Sequence, residues 1–103
     1  MRLINKDLER AFRKFNKNYF NDELPPVTIK FDTDKELDLE TYGEFTVDGE
    51  ILINECLREI PEYCFIVVLH EMSHVKHPMN SHGIAHKAVL YDLFMQGAYD
   101  PYL

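Results

Sequence analysis

The segment CFIVVLHEMSHVKHP, residues 64–78, carries the densest apolar run of the chain and, inside it, a histidine, a glutamate and a second histidine. Ile66, Val67 and Val68 alone would suit a strand. The segment, however, runs without Gly or Pro from residue 62 to about 76, too long for an ordinary strand, so it reads as a helix. Apolar residues fall on nearly every side from Tyr63 to Val75, which makes that helix central and buried. Pro61 suits its start, and Pro78 ends it. Isolated, His70, Glu71 and His74 would be costly to bury there. Their spacing supplies a reason for them. Positions four apart lie one turn apart on the same face, so His70 and His74 can aim at one metal ion. Glu71, rotated by one residue, stands beside the metal as a base for an activated water and an acid for a leaving amine.

A catalytic zinc takes three protein ligands and keeps a position open. His77, His82 and His86 follow. His77 precedes Pro78 and comes too soon after the motif to swing back. His82 lies at the start of the next helix, where a short turn can return it over His70 and His74. His86, one turn further on, is an alternative ligand or a histidine that orients a neighbour. Those two readings stay open on the residues themselves.

Around the central helix the chain alternates elements of both kinds. Residues 5–20 form an amphipathic helix with Leu8, Phe12, Phe15 and Tyr19 on one stripe and Asn5 as its N-cap. Lys6, Arg10, Arg13 and Lys17 repeat the spacing on the opposite face, either as a phosphate-contacting surface or as the solvated side of the helix. NDELPP breaks the helix. VTIKF (27–31) is a strand, DTDKELDLE (32–40) an exposed acidic loop, and YGEFTV (42–47) and EILIN (50–54) are strands joined by a two-residue turn at Asp48-Gly49. A third helix runs from about 81 to 96, with Ser81 as N-cap, Gly97 as C-cap and His82, His86, Val89 and Leu93 on one stripe. The expected fold class is α+β, about three helices packed on a small three-stranded sheet.

Length and composition fit that architecture. The chain has 103 residues, enough for a single domain with one core. An apolar fraction of 46% excludes a disordered tail. The start RLINKDLER lacks the apolar core of a signal peptide, and YCFIVVL (63–69) is too short to span a membrane, so a cytoplasmic protein with no membrane partner is expected. Cys56 and Cys64 form no CxxC pair and read as reduced core thiols. The net charge of −7 is uneven: residues 1–20 carry +4 and residues 21–62 carry −10. An acidic chain is a poor electrostatic match for nucleic acid, so DNA contact would fall to the first helix.

FNKNYFNDELPPVTIKF (15–31), YGEF (42–45), ILIN (51–54), VVLHEMSH (67–74) and SHG (81–83) occur in the order found in SprT-like zinc metalloproteases, the Spartan group, which the chain resembles from about residue 8 to 96. The resemblance implies a minimal zincin of the HExxH type and a zinc-dependent endopeptidase acting on a protein or peptide substrate. It implies one zinc ion on His70, His74 and His82, with Glu71 as the catalytic acid/base and DNA-associated proteins as a substrate class. The chain departs from the family at residue 86, where His replaces the usual Phe. Within these 103 residues neither a zinc ribbon nor a basic tail is found. The edge strand Tyr42, Gly43, Glu44 and Phe45 is the expected docking edge for an extended substrate, with Gly43 permitting close backbone approach. The alternative from another class is a zinc-stabilised protein-binding module without turnover.

Overall fold

The computed structural model describes residues 2–34, 37–38, 40–76 and 83–103. Its helices are α1 (Asn5–Tyr19), α2 (Pro61–Lys76) and α3 (Ile84–Met95), and its strands are β1 (Thr28–Phe31), β2 (Gly43–Phe45) and β3 (Glu50–Ile53). Short 3₁₀ turns lie at Glu55–Glu59 and Asp100–Tyr102. The sheet order is β1-β3-β2, with β1 parallel and β2 antiparallel to β3. This is the α+β arrangement expected. No helix among the described residues is long and apolar enough to cross a membrane.

The periodicities explain the layers. Leu8, Ala11, Phe12 and Phe15 are the buried stripe of α1, and Tyr19 packs on Phe15 with ring centroids 6.1 Å apart. Each large side chain so buried contributes about 1.5–3 kcal/mol. Ile29 and Phe31 of β1 and Ile51 and Ile53 of β3 join the same core with Val68, Leu69 and Met72 of α2. In register across the other face of the sheet, Lys30 and Glu44 flank the buried Leu52. The basic residues Lys6, Arg10, Arg13 and Lys17 are all exposed.

Several local expectations are corrected. Ile4, not Asn5, is the N-cap of α1, and its backbone N–H donates to the Asp7 carboxylate at 2.8 Å. Asn5 is drawn instead into a tertiary contact, accepting from the Phe31 backbone N–H at 2.9 Å. Four residues, 46–49, connect β2 to β3 in place of the expected two-residue turn. Thr46 N–H donates to the Glu50 carbonyl and Gly49 N–H to the Thr46 carbonyl, with Gly49 at φ +85°. That is a turn closed by a left-handed glycine, which accommodates the strand twist as well as a two-residue turn would. The acidic loop is anchored at one end, where the buried Asp32 accepts from Leu37 N–H at 2.7 Å. Cys64 is buried, but Cys56 is exposed in a 3₁₀ turn and is no core thiol. α3 starts at Ile84 after Gly83, while Ser81 lies outside the described residues.

Two polar clasps hold the ends of these elements. The Asn16 side chain makes two 3.1 Å hydrogen bonds to the backbone of Leu24, accepting from its N–H and donating to its carbonyl, which fixes the turn after α1. Leu3 N–H donates to the Arg58 carbonyl at 2.9 Å, and Arg58 Nη1 returns a 3.1 Å bond to the Leu3 carbonyl. The Arg58 guanidinium also stands 4.3 Å from the centre of the Phe31 ring and pairs with Glu55. At the far end of α3, Ala98 N–H reaches the Leu93 carbonyl and Gly97 N–H the Phe94 carbonyl, with Gly97 at φ +76°. This paired closure is the reason a glycine follows that helix.

Candidate metal centre

One turn of α2 separates His70 from His74, and their ring centroids lie 5.1 Å apart. α3 crosses that face and delivers His86. Its ring stacks on His74 at 4.0 Å with 8° between planes, and meets His70 edge-on at 5.3 Å. One ligand atom of each of the three lies within 4.8 Å of the others, so His70, His74 and His86 together could hold a metal ion. His86 is 2% exposed and His74 9%, so these two are sheltered between the helices, while His70 is half-buried. The expected ligand pair on α2 is therefore brought together with the alternative third ligand. His82, the third ligand implied by the resemblance, and His77 both lie outside the described residues. The residue that departs from the family pattern is thus itself a member of the cluster.

Ser73 completes the arrangement, and the sequence reading did not single it out. It is fully buried, and its hydroxyl donates to the His70 carbonyl while lying 2.7 Å from His86 Nε2. With its one proton given to that carbonyl, the hydroxyl accepts from Nε2–H, which leaves the lone pair of His86 on Nδ1. Ser73 thereby orients His86 across the helix interface. A serine between the two motif histidines, one turn after His70, was a weak signal, because Ser also bonds back to its own helix without further purpose.

Glu71 points away from the histidine face towards β2. It is 7% exposed. Burial pushes its carboxyl up to about 7, the nearby Glu44 adds to the rise, and a backbone hydrogen bond from Phe45 opposes it. A carboxyl so placed can both take and return a proton near neutrality. β2 lies at the edge of the sheet as expected, over Gly43–Phe45, with Tyr42 just before it. The close approach at Gly43 is made to α2: a Cβ there would stand 2.7 Å from Val67 Cγ1 and 3.3 Å from Glu71 Oε2. Gly43 therefore lets the strand sit against the helix at the position of the carboxylate.

Comparison with protein-family models, curated proteins and solved structures finds no match.

Proposed function

We propose that the chain is a zinc-dependent endopeptidase of the SprT-like kind, with His70, His74 and His86 holding the ion and Glu71 moving the protons. The observation that carries the reading is the convergence of three imidazoles from two helices beside a buried carboxylate at a sheet edge. The donor set fits zinc, a borderline-soft ion that takes imidazole nitrogens and tolerates an open position. When bound, zinc supplies Lewis acidity that activates water and polarises a carbonyl. Glu71 accepts the proton of the attacking water and delivers it to the leaving nitrogen, which its placement beside the cluster and its raised affinity for protons favour. Ser73 keeps His86 oriented, and α2 and α3 bury His74 and His86 between them. The order of YGEF, HEMSH and SHG, in which the chain resembles the SprT-like group, supports the same reading.

The test is hydrolysis of a denatured protein by the zinc-loaded chain against Glu71→Gln. The variant should bind zinc with unchanged stoichiometry and lose about 10²–10⁴-fold in rate. Wild-type activity in Glu71→Gln would overturn the assignment. Zinc binding without hydrolysis in either protein would favour the binding module.

A further inference from the structure

A cavity of about 270 Å³ adjoins the cluster, walled by Tyr42, Tyr63, Ile66 and Val67 and ending at His70 and Glu71. Residues 63, 66, 67, 70 and 71 recur at helical spacing, so one face of α2 forms its floor from the first turn of the helix to the metal cluster. Tyr42, entering β2, closes the opposite side, its ring meeting Tyr63 edge to face at 5.4 Å. Both tyrosines are 44% exposed although they touch each other, so the aromatic end is open to a visitor. For scale, an apolar cavity of roughly 150 Å³ holds benzene.

The sheet edge gives the visitor its direction. Asn54 N–H donates to the Tyr42 carbonyl and Thr46 N–H to the Glu50 carbonyl, so residues 42, 44 and 46 turn their backbone groups inward to β3. By the alternation of an antiparallel pair, the backbone groups of Gly43 and Phe45 turn to the outer edge. Of these two, Gly43 also lines the mouth of the cavity. An acidic side chain entering the cavity would face Glu71.

We infer that this cavity is a specificity pocket that receives a large apolar side chain, aromatic or long aliphatic, of an extended peptide whose backbone lies along the outer edge of β2. The inference rests on the proposed peptidase reading for its biological use, but not for its measurement. An apolar side chain buries its surface against Tyr63, Ile66 and Val67, and the peptide next to it is held at His70 and Glu71. The pocket thereby selects which bond of a substrate is presented.

The probes are capped hexapeptides of Gly, Ser and Thr with one central residue varied among Phe, Leu, Gly, Asp and Lys. Binding is followed by chemical-shift changes at Tyr42, Gly43 and Tyr63, and cleavage by mass spectrometry, both with the zinc-loaded chain. Phe and Leu peptides should bind at least tenfold more tightly than Gly and Asp peptides. Tyr63→Ala should shrink that preference to less than about threefold, and Ile66→Asp should transfer it to the Lys peptide. Equal affinity across the wild-type series would overturn the inference, as would a Phe preference that survives both variants. Cleavage without residue preference sinks the pocket and leaves the peptidase standing. Selective binding without cleavage does the reverse.

Discussion

Gly43 offers the sharpest test of how the sheet edge is seated on the active helix. Its backbone is not left-handed, so alanine is conformationally acceptable there and would by itself stabilise the fold by about 0.4–1 kcal/mol through the unfolded chain. The obstacle is space. A Cβ would stand 2.7 Å from Val67 Cγ1 and 3.2 Å from Glu71 Cγ, the first inside any real contact distance. Val67 is 9% exposed and stands on a helix packed into the core, so it has little room to withdraw. Overpacking of that kind costs about 1–3 kcal/mol. The balance predicts that Gly43→Ala destabilises by about 0–2.6 kcal/mol, measured as the shift in urea midpoint at unchanged slope. Val67→Ala alone should cost about 1.6 kcal/mol for two lost methyl carbons, yet it removes the very atom in conflict. The double variant should then be less destabilised than the sum by about 1 kcal/mol or more. Strict additivity, or a Gly43→Ala protein more stable than the parent, would refute the packing argument. A Gly43→Ala chain that folds with its strand displaced should also show a changed Phe45 amide shift.

Three further outcomes are expected. Ser73→Ala should fold and still bind zinc, but 10–100-fold more weakly, because His86 loses its orienting partner; unchanged affinity by competitive chelator titration would remove Ser73 from the centre. Burial pushes the Cys64 thiol up to about 12, so the folded state holds a proton that the unfolded chain releases near pH 8.5–9. Stability is therefore full below that range and falls as pH rises towards 12, by at most about 1.4 kcal/mol per unit, and Cys64→Ala should flatten the loss between pH 9 and 10 in urea titrations. If the exposed cations of α1 contact phosphate, charge reversal at Arg10, Arg13 and Lys17 should abolish binding to a DNA duplex that weakens steeply with salt; binding insensitive to both would identify the stripe as a solvated face.

What the sequence made legible was whatever a local period or a fixed spacing encodes. The buried stripe of α1, the length of α2, the pairing of β2 with β3 and the aim of His70 and His74 all follow from neighbours within a turn or a strand. What it hid depends on elements far apart. Asn5 looks like a cap until β1 supplies a backbone N–H that it serves better. The standing of His86 depends on the crossing of α2 and α3, which no periodicity in either helix specifies. Ser73 acquires its second partner only from that same crossing. Gly43 was legible as a site of close approach, but which partner approaches was settled by the seating of β2 on α2.

The clasp around Arg58 has a consequence for the order in which the molecule assembles. It ties residue 3 to residue 58 and covers Phe31, joining three segments that are remote along the chain. Contacts of such separation close large loops and form after local helices and hairpins have done so. Loosening the clasp with Arg58→Met should thus leave the folding rate nearly untouched and hasten unfolding, giving a φ-value near zero in a chevron analysis. The lifetime of the native state, more than the speed of reaching it, is what this arginine sets.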